Sequence, residues 1–200
     1  MSSVRQPDLT RQHILDAAFR EIYRNGFQAA SIANILAETE LTKGALYHHF
    51  PTKQALGLAV VDERVRARLE QLAFRRLRDS EHPVEALLGL IQSRIDAVDE
   101  DSVKLGCPLN NLMQEMSPID EQFRERLSRI LSGWQAITEH ALRRAQKQGE
   151  IQADVNCRAA ALFIVSAWEG CVGVAKSLQS VETHRSCMRQ LMGYVSGLSA

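Results

Sequence analysis

The residues with the most readily interpreted chemistry lie between Ser31 and Phe50, where the sequence predicts two short helices separated by a tight turn. Thr42 can cap the second helix, which leaves its first backbone amides and the positive end of its dipole exposed. Lys43 adds positive charge at this point, and Gly44 leaves the first turn without a side chain. This arrangement favours a phosphate ligand and the close approach of another surface. Because two short helices joined by a tight turn are the outline of a helix-turn-helix, we expect that surface to be DNA.

The second of these helices has one side suited to a polar partner and another suited to the protein core. Tyr47 and His48 offer hydrogen-bonding and stacking groups. Leu46 and Phe50 are four residues apart, so they fall on one side of the helix and can anchor it to the preceding helices. His49 could contact DNA or pack on the following helix, and its position next to Phe50 favours packing.

The distribution of charge agrees with DNA binding by the first part of the chain. The chain has no formal net charge, yet residues 1–78 contain 12 lysines and arginines against 8 aspartates and glutamates. Residues 79–200 contain 12 against 16. A basic first part joined to an acidic remainder suggests that only the first part meets a polyanion.

The apolar residues recur with helical spacing along the whole chain, and no stretch alternates as a β-strand would. The sequence therefore predicts an all-α fold of about nine helices. They are expected over residues 9–25, 31–39, 42–50, 52–79, 83–98, 108–116, 120–148, 154–178 and 181–197, with an acidic loop at 99–101.

These helices are predicted to form two domains. Residues 1–52 are assigned to a three-helix helix-turn-helix domain, and the helix over 52–79 connects it to the remainder. Residues 80–200 are assigned to a larger helical domain. At 45% apolar and 24% charged residues, the chain has enough apolar side chains for a core.

The composition also indicates where in the cell the protein acts and whether it binds a metal or a cofactor. No uncharged apolar run approaches the roughly 18 to 20 residues of a membrane span, and the first residues lack the apolar centre of a secretion signal. We therefore expect a cytoplasmic protein. The four cysteines are widely spaced, which predicts neither a disulfide framework nor a zinc site, and no cofactor is expected. They are Cys107, Cys157, Cys171 and Cys187.

Several sequence motifs resemble those of one protein family. They are I-L-D-A-A at 14–18, F-R-E-I-Y-R-N-G-F at 19–27, S-I-A-N-I at 31–35 and L-T-K-G-A-L-Y-H-H-F-P-T-K-Q-A-L at 41–56. With these motifs the chain resembles the TetR family of transcriptional regulators, of the TetR/AcrR type. The resemblance is strong over about the first 60 residues. Asn34 and Gln54 depart from the residues that many relatives carry.

The resemblance implies a DNA-binding head whose third helix enters the major groove, with contacts made by particular residues. Phosphate contacts are implied for Ser31, Thr42, Tyr47, His48 and Lys53, and base contacts for the exposed side around Lys43, Ala45 and His48. Gly44 is included with them because it permits close approach to the groove.

The segment over residues 105–116 is unusual because it places polar amides inside an apolar run, and it is similar to a G-C-x-x-x-N segment of one branch of the family. Asn110 and Asn111 would need partners if buried, either in the protein or in a ligand. Pro108 would begin a helix with Cys107 at its cap, where the dipole can lower the pKa of a thiol. The sequence nevertheless favours inert packing of Cys107, and a reactive thiol is the alternative. The candidate ligand-binding residues are Cys107, Asn110, Asn111, Met116, Phe123, Trp134 and Trp168, although the aromatic members could equally be core.

The last two helices carry small residues that would let helices approach closely. In the family these two helices pair with their copies in a second chain, so the resemblance implies a homodimer. The candidate interface residues are Ser166, Gly170, Gly173, Leu191 and Val195. Close packing within one chain is the alternative for part of this set.

These observations predict a repressor, not an enzyme, that binds a palindromic operator in double-stranded DNA as a homodimer and is released by a small-molecule effector. A repressor that senses oxidants or electrophiles through Cys107 is the alternative. A cysteine-dependent enzyme and an architectural DNA-binding protein are more distant alternatives. The sequence places no general base beside Cys107, as an enzyme would need. An architectural DNA-binding protein would not need the acidic residues 79–200.

Overall fold

The structure is a computed structural model that describes residues 6–200. Over these residues the chain is helical, and its one β-type pairing is an isolated bridge between Ile151 and Ser199. The all-α fold predicted from the apolar spacing is confirmed.

The helices follow one another with short connections. In chain order they are α1 (Gln6–Asn25), α2 (Ile32–Thr39), α3 (Lys43–His49), α4 (Lys53–Val60), α5 (Arg66–Leu69), α6 (Arg75–Asp79), α7 (Pro83–Ala97), α8 (Glu100–Leu105), α9 (Pro108–Met116), α10 (Glu121–Gln148), α11 (Cys157–Leu178) and α12 (Val181–Ser196). Two π-helical segments, Val61–Val65 and Glu70–Phe74, join α4, α5 and α6 into one helical run. This run corresponds to the long helix predicted over residues 52–79.

Helix α8 lies where the sequence analysis expected an acidic loop. Asp99 caps it by accepting a hydrogen bond from the Ser102 backbone amide at 2.8 Å, while the Ser102 hydroxyl accepts one from the Asp99 amide at 3.0 Å. The hydrogen bond from the Ser102 amide also lowers the pKa of Asp99. Glu100 and Asp101 occupy the first turn, where the helix dipole favours negative charge. The acidic residues therefore start a helix.

The described chain divides into two compact units. One comprises the residues up to Arg68 together with Asn111–Ser128, and the other comprises Leu69–Asn110 together with Arg129–Ala200. The boundaries differ from the predicted ones because residues 111–128 belong with the N-terminal helices.

The first unit has its core where α1, α2, α3 and α4 meet. Ile14, Ile35, Leu46 and Leu56 are fully or almost fully buried there. Residues 111–128 complete this unit: the Glu115 carboxylate accepts hydrogen bonds from the backbone amides of Phe27 at 2.9 Å and Gln28 at 2.8 Å. The turn that follows α1 is therefore held by a side chain distant in sequence.

The core of the first unit is especially tight at Gly57 in α4. The rings of Phe27 and Phe123 pack together with centroids 4.6 Å apart, and both lie against this glycine. A Cβ at Gly57 would lie 2.3 Å from Cε2 of Phe27 and 2.8 Å from Cζ of Phe123. Two aromatic rings therefore occupy the space that any larger residue would need.

We expect Gly57→Ala to lower the free energy of unfolding by about 1 to 3 kcal/mol, because the rings must shift to admit the methyl group. Gly89→Ala in α7 is the matched control, since no atom of the described residues lies within 4 Å of a Cβ built there. It is expected to be neutral or to stabilise the helix by up to about 1 kcal/mol. Urea unfolding of both variants measures the difference, and equal stabilities would contradict the tight packing at Gly57.

The second unit is held together mainly by the packing of α12 on α11 and on α7. A disulfide joins Cys171 of α11 to Cys187 of α12, with the Cα atoms 5.4 Å apart. The expectation of no disulfide is wrong for this pair. Two cysteines separated by 16 residues carry no motif, and they meet because α11 and α12 fold back on each other through a two-residue connection.

By length and composition α11 also resembles a membrane-spanning helix, with a mean hydropathy of 1.4 over its most apolar 18 residues. In the structure 44% of that window is buried inside the chain. Core helices pass the same test of length and composition, so this single helix is weak evidence for a membrane span.

Candidate nucleic-acid interface and ligand site

The two short helices α2 and α3 have the capped geometry predicted for them. The Ser31 hydroxyl accepts a hydrogen bond from the Asn34 amide at 3.4 Å, and the Thr42 hydroxyl accepts one from the Ala45 amide at 3.2 Å. Between the helices, Glu40 adopts a left-handed conformation with φ of 56°. This residue ends α2 and reverses the chain direction so that α3 can begin within three residues.

A buried carboxylate fixes the start of α2. Glu21 on α1 accepts hydrogen bonds from the Ser31 backbone amide at 2.9 Å and from the Asn34 side chain at 3.0 Å. Burial acts to raise the pKa of Glu21, but these hydrogen bonds outweigh burial and the pKa is lowered. Asn34, which departs from the family motif, thus connects α2 to α1 through its hydrogen bond to Glu21. The sequence analysis did not identify Glu21, although a carboxylate in helical register with the buried residues Ile14 and Ala18 was a visible signal.

Helix α3 presents an exposed polar surface, which we call the α3 face and define as Lys43, Gly44, Tyr47 and His48. Leu46 lies on the opposite side and is fully buried. The ammonium group of Lys43 lies 5.9 Å from the centre of the Tyr47 ring. The exposed side of α3 therefore carries a cation next to an aromatic ring.

Gly44 has no role in the packing of the described residues. A Cβ built on it would meet one atom, the Thr42 hydroxyl oxygen, at the ordinary contact distance of 3.9 Å. Glycine in a helix costs about 1 kcal/mol relative to alanine. Since the described residues do not need this glycine, the open space at the α3 face is available to a partner.

Lys53, which the resemblance places at a phosphate, is engaged within the first unit. Its ammonium group donates a hydrogen bond to the backbone carbonyl of Gln28 at 2.9 Å and lies 5.1 Å from the centre of the Phe27 ring. Lys53 would have to leave this carbonyl, or share it, in order to bind a phosphate. His49 is half-buried, with its ring centroid 6.5 Å from that of Phe50.

The candidate ligand residues are divided between the two units. Asn111, Met116 and Phe123 belong to the first unit, where Met116 and Phe123 are core residues. Cys107, Asn110, Trp134 and Trp168 belong to the second unit. There the two tryptophans are in edge-to-face contact with centroids 5.8 Å apart.

In the second unit a buried carboxyl group lies beside Cys107 and Asn110. Glu169 is only 6% exposed, and its Oε1 accepts a hydrogen bond from the Cys107 thiol at 3.3 Å. The Asn110 side chain donates to the Glu169 backbone carbonyl at 3.0 Å. Gly173 permits this approach, because a Cβ there would lie 3.2 Å from Nδ2 of Asn110. Glu169 was missed by the sequence analysis, although an acidic residue at position 169 of a strongly apolar helix was a visible signal.

The surroundings of Cys107 in the structure disfavour the thiolate form of its side chain. Burial and the nearby negative charge of Glu169 raise the pKa of Cys107 above its ordinary value. Backbone hydrogen bonds from Asn110 and Leu109 act in the opposite direction but are outweighed. The position of Cys107 at the helix start therefore does not lower its pKa, which favours inert packing over the alternative of a reactive thiol.

Glu169 has a strongly raised pKa, and one of its two carboxyl oxygens lacks a hydrogen bond among the described residues. Burial raises its pKa to about 7, although the positive charge of Arg94 acts to lower it. Its second oxygen, Oε2, has no hydrogen-bond partner among the described residues. A buried polar atom of this kind is costly unless a ligand or water supplies a partner. The carboxyl group, together with Cys107 and Asn110, is therefore a candidate ligand site.

The predicted interface residues fall into two sets. Ser166 and Gly170 are exposed and Gly173 is half-buried, but Leu191 and Val195 are 3% and 0% exposed. Leu191 and Val195 are thus core residues of their own chain and cannot meet a second copy. The helical period explains the error, since they lie on the side of α12 that faces its own core.

A continuous apolar surface is exposed on α11 and α12, and we call it the α11 face. It comprises Leu162, Phe163, Ser166, Gly170, Val174 and Leu178 of α11 with Tyr194 of α12. The rings of Phe163 and Tyr194 are in contact, with centroids 4.5 Å apart. A run of exposed apolar residues at helical spacing is typical of a surface that a partner covers.

Comparisons with known proteins match both the N-terminal helices and the remainder of the chain. A family model described as "Bacterial regulatory proteins, tetR family" matches residues 14–60, and one described as "Tetracyclin repressor-like, C-terminal domain" matches residues 83–191. The transcriptional regulator AcuR of Cereibacter sphaeroides is 31% identical over 170 residues, which cover 84% of this chain and 77% of that protein. The repressor DhaR of a Mycobacterium species is 28% identical over 163 residues, covering 81% and 80%.

Solved structures show the same fold. A regulatory protein TetR from Rhodobacter sphaeroides superposes with a TM-score of 0.82 at 27% identity, covering 93% of this chain and 98% of that one. The reduced form of NemR from Escherichia coli gives a TM-score of 0.81 at 21% identity, covering 96% and 97%.

Proposed function

The chain belongs to the TetR family of DNA-binding transcriptional regulators, and on this basis we propose that it is a repressor that binds a palindromic operator as a homodimer and is released by a small-molecule effector. We further propose that it acts in the cytoplasm and has no catalytic activity. The observation that carries the proposal is the α3 face. Thr42 caps the start of this helix, and Gly44 is not needed for packing among the described residues, so the space beside it is open to a partner.

In the proposed complex α3 lies in the major groove. The proposed DNA contacts are Ser31, Thr42, Lys43, Gly44, Ala45, Tyr47, His48 and Lys53. Hydroxyl groups and the start of α3 would bind phosphates, which fix the position of the helix. Lys43, Ala45 and His48 would meet the base edges, which carry the sequence information.

Dimerisation is proposed to use the α11 face. A two-fold axis at this face would place identical residues of two copies against each other, so that Gly170 lets the helices approach closely. Each DNA-binding head would then meet one half of a palindrome, with half-sites about 34 to 36 Å apart.

The effector is proposed to bind in the second unit beside Glu169, with Cys107, Asn110, Trp134 and Trp168 contributing to its site. The open Oε2 of Glu169 would accept a hydrogen bond from the ligand, and Trp168 would supply apolar surface. Such a ligand releases DNA if it binds more tightly to a form with a different spacing of the two heads.

The experiment that tests this proposal selects genomic fragments with the purified protein and then compares Gly44→Ala with the unaltered protein on the selected DNA. We expect discrete fragments that share a palindrome. Gly44→Ala should bind them at least about tenfold more weakly, because a methyl group fills the space at the groove and a lost close contact costs about 1.4 kcal/mol or more.

The same variant should be as stable to urea as the unaltered protein, or more stable by up to about 1 kcal/mol. Gly133→Ala, at a helical glycine whose Cβ would meet no described atom within 4 Å, is the control and should bind the fragments normally. Full affinity of Gly44→Ala, or fragments without any shared sequence, would contradict the assignment of the α3 face to DNA.

A further inference from the structure

The disulfide between Cys171 and Cys187 has no part in the function proposed above. Cys171 is buried, whereas Cys187 is half-buried, and the two remaining cysteines, Cys107 and Cys157, are free. In the cytoplasm disulfides are uncommon and are usually transient bonds of catalytic or redox-sensing cysteines. A disulfide that joins two helices there requires an explanation other than permanent stabilisation.

The bond connects the two helices that carry the α11 face. On α11, Cys171 lies between Gly170 and Val174, which are exposed members of that face. On α12, Cys187 precedes Tyr194 by seven residues, or about two helical turns, so the two residues lie on the same side of the helix. The bond therefore sits beside the apolar surface.

Helix α12 is fixed to its surroundings near both ends by noncovalent contacts. At its start the Ser180 amide donates to the Ala175 carbonyl at 3.1 Å, and after its end Ser199 pairs with Ile151. In its first half the Arg185 guanidinium donates to the carbonyls of Ile95 and Val98, both at 3.4 Å. The disulfide is the covalent restraint on the middle of α12, between these contacts and Tyr194.

We propose that Cys171 and Cys187 form a peroxide-sensitive thiol pair, in which closing the disulfide adds a covalent restraint between α12 and α11 beside the α11 face and strengthens the dimer. This inference rests on the proposed function, because it takes the α11 face as the dimer interface. It assigns hydrogen peroxide or an organic hydroperoxide as the oxidant and a small cellular thiol as the reductant.

The chemistry balances with these reactants. The half-buried Cys187 is the more accessible thiol, and its thiolate attacks one peroxide oxygen, breaks the O–O bond and becomes a sulfenic acid. The leaving hydroxide, or the alkoxide of an organic hydroperoxide, takes up the thiol proton and departs as water or an alcohol. The Cys171 sulfur then attacks the Cys187 sulfur, which forms the S–S bond and releases a second water. Two electrons pass from the thiol pair to the peroxide. Two reducing thiols reverse the change through a mixed disulfide.

The effect on the dimer follows from conformational entropy. Association must order the side chains of the α11 face, including the ring pair of Phe163 and Tyr194. A covalent bond that restrains α12 beside that ring pair beforehand removes part of that cost. We therefore expect the dissociation constant of the oxidised dimer to be about tenfold lower than that of the reduced dimer.

The test measures the dimer dissociation constant of the full chain by sedimentation, after treatment with either hydrogen peroxide or dithiothreitol. Peptide mapping under non-reducing conditions verifies the bond between Cys171 and Cys187. The unaltered protein and the control Cys157→Ser should both show the tenfold difference. Cys187→Ser should keep the reduced value under both conditions, and because position 187 is half-buried this variant is expected to fold even if Cys171→Ser does not.

The outcomes separate this inference from the proposed function. Equal dissociation constants in the two redox states, with the bond verified, would overturn the inference and leave the dimer proposal intact. Failure of peroxide to close the bond in the reduced protein would also overturn it. Monomers in both redox states at all protein concentrations would instead overturn the dimer of the proposed function, and the inference with it.

Discussion

Leu162→Glu is expected to convert the protein into monomers and to weaken operator binding at least about a hundredfold. Leu162 belongs to the α11 face and is 53% exposed in the protomer, so a glutamate there remains in water until a second copy approaches. In the proposed dimer the carboxylate would be buried without a partner on both sides of the two-fold axis. An uncompensated buried charge costs about 3 to 5 kcal/mol, which corresponds to about two to four powers of ten in association.

Sedimentation and operator titration measure the two effects of Leu162→Glu, and Leu72→Glu provides a matched control. Leu72 is 57% exposed but lies outside the α11 face, in the π-helical segment Glu70–Phe74. The same substitution at this leucine should leave both the dimer and operator binding unchanged. If Leu162→Glu sediments as an intact dimer, the interface lies elsewhere on the protein.

Glu169 and His184 are expected to give opposite dependences of stability on pH, each with an amplitude of about 3 kcal/mol. The pKa of Glu169 is raised by burial to about 7, above its ordinary value of 4.5. The native state therefore binds more protons than the unfolded state between these values. The contribution of Glu169 to the free energy of unfolding is therefore complete below pH 4.5 and is lost as the pH rises through 7.

His184 on α12 behaves in the opposite sense. Its ring is 1% exposed, and neither ring nitrogen has a hydrogen-bond partner among the described residues. Burial, followed by the positive charges of Arg94 and Arg185, lowers its pKa from 6.5 to about 4. Between pH 4 and 6.5 the unfolded state therefore binds more protons than the native state. The contribution of His184 to the free energy of unfolding is complete above pH 6.5 and is lost as the pH falls through 4.

In the unaltered protein the two dependences nearly cancel between pH 4.5 and 6.5, and single substitutions should reveal them. Glu169→Gln is expected to gain about 3 kcal/mol of stability relative to the unaltered protein when the pH is raised from 4.5 to 8. His184→Leu should gain a similar amount in relative stability when the pH is lowered from 7 to 4.

Urea unfolding at one fixed protein concentration measures these relative stabilities, because a dimer unfolds in a concentration-dependent way. Glu182→Gln is the control for the change of charge, since the Glu182 side chain is 72% exposed, and it should show no pH-dependent difference. Parallel stability curves for Glu169→Gln and the unaltered protein would show that Glu169 has an ordinary pKa in the folded chain.

The features that the sequence predicted are those that depend on local spacing. The caps at Ser31 and Thr42, the buried side of α3 at Leu46 and the long helical run after Thr52 follow from capping residues and apolar periodicity. These signals act within a few residues, so a single sequence contains them. The start of α8 shows the limit, because Asp99 was interpreted as a loop residue although acidic caps also begin helices.

The features that the sequence did not predict depend on how distant helices meet. The thiol of Cys107 lies against Glu169, 62 residues away, and burial together with the charge of Glu169 raises its pKa instead of lowering it. The disulfide likewise requires knowledge of how α11 and α12 fold back on each other. The apolar spacing of α12 marked Leu191 as important without showing that its own chain already covers it.

The most direct test of the central proposal is a hydroxyl-radical footprint of the full protein on a selected operator fragment, with Gly44→Ala in parallel. The account predicts two protected half-sites related by a two-fold axis, with centres about one helical turn of DNA, 34 to 36 Å, or a multiple of it apart. It also predicts loss of this protection for Gly44→Ala at the same protein concentration. Continuous protection without half-sites, or an identical footprint from Gly44→Ala, would contradict a dimeric repressor that reads its operator through α3.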